Sequence, residues 1–366
     1  MNLFLYLCNR NYYFMILEHK FHIGSSCNMQ ELEDNSIELV VTSPPYPMIE
    51  MWDDLFISGN SDIEKCLQDR PIDAFELMHQ QLDCVWSECY RVLKDGCYMC
   101  INIGDATRTI NGNFALYNNV ARIINKCTEL GFVTLPNLMW LKQTNSPNKF
   151  MGSGMLPCGA YVTLEHEWIL ILRKGDRRKF LTDSDKELRS RSAFFWEERN
   201  KWFTNIWNIH GDSQKIKISC GRERTASFPM EIPYRLINMF SVIGDTVLDP
   251  FLGTGTTMKA AMLTGRNSVG YEIDKTFENV IKSNLRDFVK TDLNSIIKNR
   301  IESHKAFIKV RQDAGLNVKH HNSTYDVGVV TKQESKINFG TILNIVEENS
   351  NNLFRVDICY ELNFMI

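Results

Sequence analysis

The spacing of apolar positions along this chain switches repeatedly between two and about 3.6 residues, and each stretch predicts an element. His19 to Gly24 reads as a short strand, Met29 to Leu32 as a helical turn, and Ser36 to Thr42 as a buried strand. Ser43-Pro44-Pro45-Tyr46 ends that strand, because two prolines cannot continue a ladder. Phe75 to Leu93 predicts a helix with Phe75, Met78, Leu82, Val85, Cys89 and Val92 on one face. Cys97 to Ile103 predicts a strand, and Ala115 to Leu130 a helix stopped by Gly131. Phe132 to Trp140 and Glu165 to Leu172 predict further strands. Later, Ile232 to Phe240 predicts a helix, Thr246 to Asp249 a strand end, Thr257 to Leu263 a helix and Ser268 to Ile273 a strand. A long helical pattern then runs to about Ala306. Strands alternating with helices imply an α/β class with a mainly parallel sheet.

Composition changes this picture in three places. Residues 173–224 hold 14 Lys or Arg against 8 Asp or Glu, while the whole chain carries a net charge of -3. Phe194, Phe195, Trp196, Trp202, Phe203 and Trp207 are interleaved with that charge, so a basic, aromatic segment interrupts the α/β pattern. The tail from about 307 to 366 is polar and Asn-rich, and its residues assign it no role. At the other end, Met1 to Leu17 is apolar, but Arg10 falls inside it and Glu18-His19-Lys20 follows, unlike a signal peptide. The first 14 residues read as an extension ahead of a start at Met15, which the intact mass of native protein decides. No run reaches the 18 or so apolar residues of a membrane span. Eleven Cys are scattered rather than framed. Cys97-Tyr-Met-Cys100, near Cys84 and Cys89, has zinc-like spacing, but residues three apart on a strand face opposite ways. Buried reduced thiols, no metal and a reducing, cytoplasmic compartment are the expectation.

Val247-Leu248-Asp249-Pro250-Phe251-Leu252-Gly253-Thr254-Gly255-Thr256-Thr257 reads as a strand, a tight glycine turn and a helix start. Such a turn lets a ligand approach the backbone. A nucleotide P-loop would need four residues between its glycines and then Gly-Lys-Ser/Thr; a dinucleotide fingerprint would need glycine where Met258 stands. About twenty residues on, Glu272 closes the next strand, where a carboxylate can grip a ribose diol. A nucleoside ligand without phosphate fits, and the plain alternative is a tight turn beside a strand-end acid.

Thr42-Ser43-Pro44-Pro45-Tyr46 is the sharper signal. The lone pair of an exocyclic base amine is delocalised into the ring, so the amine is a poor nucleophile. Acceptors on both N–H bonds, here the Ser43 hydroxyl and the Pro44 carbonyl, draw the nitrogen toward tetrahedral geometry and free that pair. The prolines fix the backbone direction. Tyr46 can stack on a base flipped from its helix. The bland alternative is a proline-rich turn after a buried strand.

Together the two motifs resemble the amino-methylating DNA methyltransferases of restriction–modification systems, over about residues 19–285. Their order is similar to that of the permuted β group. The resemblance implies a Rossmann-like, S-adenosylmethionine-dependent sheet with helices on both faces and an inserted DNA target-recognition region. It divides the chain into an extension at 1–18, a catalytic half at 19–172, a recognition insert at 173–221, a cofactor half at 222–300 and a tail at 301–366. Ser43, Pro44, Pro45 and Tyr46 match the catalytic turn. Asp249, Phe251, Gly253 and Gly255, with Thr256 and Thr257, match cofactor positions, and Glu272 matches the ribose acid. Asn102-Ile103-Gly104-Asp105, Glu165-His166-Glu167 and Phe228-Pro229-Met230-Glu231 also resemble family segments. Arg173, Lys174, Arg177, Arg178, Lys179, Arg189 and Arg191 are candidate contacts to double-stranded DNA, by phosphates or guanine edges. A cognate restriction endonuclease sharing the site is the implied partner. Ser43, where relatives can carry Asp, leans toward N4 of cytosine over N6 of adenine. Two departures are Ser25, where Asp is common, and Arg224, where His is common. A decayed DNA-binding module and an RNA methyltransferase are competing readings. Pro157-Cys158 also suggests ring-carbon methylation, but that group has its cofactor turn first. His166 and His210 are weaker candidates as general bases.

Overall fold

The computed structural model describes residues 12–142, 151–211, 228–348 and 352–361. Strand β1 spans Tyr12–Ile23 and β2 spans Ile37–Thr42. Helices α1 (Asp53–Gly59), α2 (Asp62–Asp69) and α3 (Pro71–Val92) lead to β3 (Leu93–Ile103). A hairpin of β4 (Ala106–Ile110) and β5 (Asn113–Tyr117) precedes α4 (Asn119–Glu129), β6 (Phe132–Thr134) and β7 (Leu138–Leu141). A small pair, β8 (Met151–Gly152) and β9 (Ala160–Tyr161), comes before β10 (His166–Lys174), α5 (Asp183–Arg191), α6 (Trp196–Trp202) and β11 (Ile206–Asn208). The second half holds α7 (Glu231–Phe240), β12 (Thr246–Asp249), α8 (Thr256–Thr264), β13 (Asn267–Glu272), α9 (Phe277–Val289) and α10 (Leu293–Asp313). Strands β14 (His320–Asn322), β15 (Val327–Val329), β16 (Thr341–Glu348) and β17 (Leu353–Glu361) come last among the described residues.

Among the described residues, eleven strands form one sheet in the order β11-β7-β10-β3-β2-β12-β13-β1-β17-β16, with β6 beside β10. The five central strands, β3 to β1, pair in parallel. The parallel expectation holds there, whereas β10 and β17 bound that centre with antiparallel pairing. Both faces are covered. Val40, Met99, Ile101 and Leu248 pack under α3 and α4, while Leu39, Val41 and Val247 pack with Ile232, Leu236, Ala260 and Ala261 of α7 and α8. A strand buried on both faces reads as a continuous apolar run, as Leu39 to Val41 does.

The connections decide where a ligand can sit. From β2 the chain crosses to β3 on one side; from β12 it crosses to β13 on the other. Because β2 and β12 are neighbours, a crevice opens beyond their carboxyl ends, at the point where the strand order reverses.

Several expectations shift. The expected helix from Ala115 begins at Asn119, because residues 106–117 form a hairpin around Asn111-Gly112, both at positive φ. Phe132 to Trp140 splits into β6 and β7 around Pro136. The helix to Ala306 breaks after Val289, and Asp292 caps α10 by accepting from Ser295 N at 3.1 Å. The first strand starts earlier than His19, since Tyr12, Tyr13 and Phe14 pair with Glu361, Tyr360 and Cys359. That part of the expected extension is built into the sheet, and the tail supplies its edge. Among the described residues no helix is long and apolar enough to cross a membrane.

Candidate active site

Asp249 ends β12 with its carboxylate buried. Its Oδ1 accepts from Thr42 Oγ1 at 2.7 Å and from Phe251 N at 3.1 Å; its Oδ2 accepts from Thr257 Oγ1 at 2.6 Å. Thr42 is the last residue of β2 and adjoins Ser43; Thr257 lies in the first turn of α8. One carboxylate thus holds the proline turn and the glycine turn together. Burial raises its pKa to about 6, against the opposing effect of those three donors.

Gly255 caps α8 at φ +87°, a conformation that favours glycine. Gly270 leaves room in β13 for Leu252, whose side-chain carbons would lie 2.7 Å from any Cβ there. Leu252 is thereby seated under the turn. Gly253 N donates to Glu272 Oε2 at 2.9 Å, and Asp274 N donates to Oε1 at 2.9 Å. Burial raises the Glu272 pKa to about 7.

A cleft of about 720 Å³ opens over these turns, within the range of small-molecule sites. Ser43, Pro45, Asp249, Phe251, Gly253, Thr256, Thr257 and Glu272 line it. Ser25 lines it too, and carboxylates of Asp54 and Asp274 join that of Glu272 on its wall. The missing acid at Ser25 therefore does not leave the cleft without negative charge. Phe228, from the segment before α7, completes an apolar wall. Arg224 lies outside the described residues. The donor set fits S-adenosylmethionine: carboxylates for its positive charge, a carboxylate beside a glycine turn for a diol, and rings for its adenine.

Pro44 is buried, and the Tyr46 hydroxyl sits in a polar cluster. The Tyr46 hydroxyl donates to Glu167 Oε2 at 2.7 Å, accepts from Asn102 Nδ2 at 2.8 Å, and lies 3.3 Å from Ser43 Oγ. Asn102 Nδ2 also donates to Glu167 Oε2 at 2.7 Å. Glu167 was visible in the sequence only as part of a family-like segment. His166, the residue weighed as a base, instead meets Trp168 edge-on with ring centroids 5.4 Å apart. His210 is exposed.

The basic segment needs correction. Lys174 is buried, and its Nζ donates to Asn35 Oδ1, Tyr90 O and Leu93 O at 2.7–2.8 Å. Arg178 is paired twice with Asp245, and Arg191 is buried over the Tyr360 ring. These three are structural cations. Lys174 and Arg178 lie by Leu93 and Gly96, at the start of β3 and far from the Ser43 end of the sheet. Arg177, Lys179 and Arg189 are exposed, and Arg173 is half-buried with Nε donating to Gly175 O. The cysteines also divide. Cys97 and Cys100 pack on opposite faces of the sheet, burial pushing the Cys97 thiol up to about 12. Cys84 departs from the reduced reading, being joined to Cys27 with Cα atoms 4.9 Å apart at the cleft wall. Cys158 is exposed in the loop between β8 and β9.

This arrangement has counterparts. Residues 37–283 match the family model for N6/N4 DNA methylases, and the chain belongs to that family. It is 48% identical over 322 residues to the type II methyltransferase M.MthZI of Methanothermobacter thermautotrophicus, covering 87% of this chain and 89% of that one. It is 53% identical over 282 residues to M.MjaI of Methanocaldococcus jannaschii, covering 73% and 91%. A Thermus thermophilus protein described as a putative DNA modification methylase, solved with S-adenosyl-L-methionine, superposes with TM-score 0.58 at 31% identity, over 74% of this chain and 96% of that one. The cytosine-N4-specific PvuII methyltransferase shares the fold, with TM-score 0.51 at 17% identity over 76% and 90%. The protein is an S-adenosylmethionine-dependent, site-specific DNA methyltransferase with a Rossmann-like sheet.

The raised pKa values carry a pH consequence. Glu272 and Asp249 are protonated below about 7 and 6 and ionised above, so the cleft gains negative charge as pH rises, which favours a cationic cofactor. The dissociation constant of S-adenosylmethionine is expected to be roughly tenfold higher at pH 6 than at pH 8. Calorimetric titration across that range checks this, and Glu272→Gln should flatten the dependence.

Proposed function

We propose that this methyltransferase acts on N4 of cytosine in double-stranded DNA, with the target base flipped into the crevice. The observation that carries the reading is Ser43. It stands on the cleft wall at the end of β2, one residue from the Thr42–Asp249 bond. Its neutral hydroxyl and the Pro44 carbonyl then accept from the two amine hydrogens, as the proline pair orients the backbone. Charge developing on the amine is stabilised by these fixed dipoles, and no covalent intermediate is needed. Tyr46 offers its ring to the base. Phe251, Gly253, Gly255 and Thr256 shape the cofactor turn, Asp249 and Thr257 brace it, and Glu272 takes the ribose hydroxyls.

The catalytic turn precedes the cofactor turn in sequence, which supports the permuted β arrangement. Arg173, Arg177, Lys179 and Arg189 flank Lys174 and Arg178 at the start of β3, so no contact to the flipped base is assigned to them. The biological role is protection of host DNA in the cytoplasm from a cognate endonuclease. N6 of adenine is the second reading, since the same acceptors suit either amine.

Expression in a host lacking DNA methylation, followed by nucleoside mass spectrometry, discriminates. N4-methylcytosine is expected; N6-methyladenine without it overturns the choice of base.

A further inference from the structure

An exocyclic amine that gains a methyl group gains positive charge and must release one proton. Ser43 carries a hydroxyl and cannot keep it. A carboxylate, however, is reached from Ser43 in two steps, because Ser43 Oγ lies 3.3 Å from the Tyr46 hydroxyl and that hydroxyl lies 2.7 Å from Glu167 Oε2. Glu167 comes from β10, the strand beside β3, and brings a negative charge to a turn whose own residues have none.

We propose that Glu167 positions Tyr46 and is the terminal acceptor of a proton relay running from the base amine through Ser43 and Tyr46. The inference rests on amino-methylation and applies to cytosine and adenine alike. When bound in the cleft, S-adenosylmethionine would supply the methyl group, with the nitrogen–carbon bond forming as the sulfur–carbon bond breaks and the sulfur keeping the electron pair. Ser43 Oγ takes the amine proton as its own proton moves to Tyr46, and the phenol passes its proton to Glu167 Oε2. One N–H bond breaks and one O–H bond forms, while Ser43 and Tyr46 end unchanged.

The surroundings suit this path. Burial, and then the charge of Glu167, raise the Tyr46 pKa well above its usual value, so the phenol transmits a proton without becoming phenolate. Asn102 Nδ2 holds both Tyr46 and Glu167, at 2.8 and 2.7 Å, and so fixes the middle of the chain. Gly104 makes room for the pair. A Cβ there would lie 3.2 Å from the Tyr46 ring and 3.4 Å from Glu167 Cγ. Lys142 Nζ donates to Glu167 Oε1 at 2.9 Å and holds the carboxylate in place, leaving Oε2 for the phenol and Asn102.

Glu167→Gln, Glu167→Asp, Tyr46→Phe and the Glu167→Gln/Tyr46→Phe double variant test the relay. Readouts are single-turnover methyl transfer, cofactor and DNA dissociation constants, and flipping of a 2-aminopurine placed at the target base. Glu167→Gln is expected to slow transfer about 100-fold, within the span of general acid–base effects. Both dissociation constants should stay within about twofold, and the flipping signal should persist. Glu167→Asp should recover part of the rate, and the double variant should be no slower than the slower single one. Wild-type rate in Glu167→Gln overturns the proposal, as does a loss explained by weaker binding or lost flipping. Additive losses in the double variant also overturn it. If wild-type protein methylates no base amine, the functional reading itself has failed, and the product analysis shows that separately.

Discussion

The Asp249 carboxylate is the constraint on which the site depends. It is buried between Thr42 and Thr257, and it joins the last residue of β2 to the first turn of α8. Without it the proline turn and the glycine turn would be two unrelated loops at neighbouring strand ends. With it, the position of Ser43 is referred to the same atoms that fix the cofactor turn. A hydrogen bond to a charged group contributes about 1.5–3 kcal/mol, so two such bonds are enough to resist independent movement of the turns. Their cost is visible in the raised pKa of the acid, since burial disfavours its ionised form.

The sheet explains why this point was available. β2 and β12 are adjacent, and their crossovers leave in opposite directions. The crevice between them therefore needs no cavity carved from the core. Strands at the two flanks then play different parts. β10 carries Glu167 to the catalytic turn, whereas β17 and β16 pair beyond β1 and cover an edge with the chain's own tail. α6 and α10 are tied by Arg300, which pairs with Glu198 and lies 3.9 Å over the Phe339 ring. Trp202 and Trp207 of the basic segment are buried, so much of its aromatic content is packing.

The central strands and the two turns were legible because their signals are local. Leu39 to Val41 is a short apolar run followed closely by two prolines, and Asp249 to Thr257 is a strand end, two glycines and a helix start. What was missed depends on partners distant in sequence. Glu167 joins Tyr46 across 121 residues, and nothing near position 167 marks that contact. Lys174 looks like a surface cation until Tyr90 and Leu93 carbonyls are seen around it. Tyr12 to Phe14 and the Asn-rich tail gain order only from each other. One miss was avoidable: Asn111-Gly112 between alternating residues is a strong hairpin signal, and the helix pattern after it drew the boundary too early.

The claim that one buried acid couples catalysis to cofactor binding is tested most directly at Thr42, which is buried outside the cleft lining. Thr42→Val keeps the shape and removes only the donor to Asp249. The dissociation constant of S-adenosylmethionine in the folded variant is expected to rise about tenfold, the equivalent of one such bond. An unchanged constant would mean that the two turns hold their places independently.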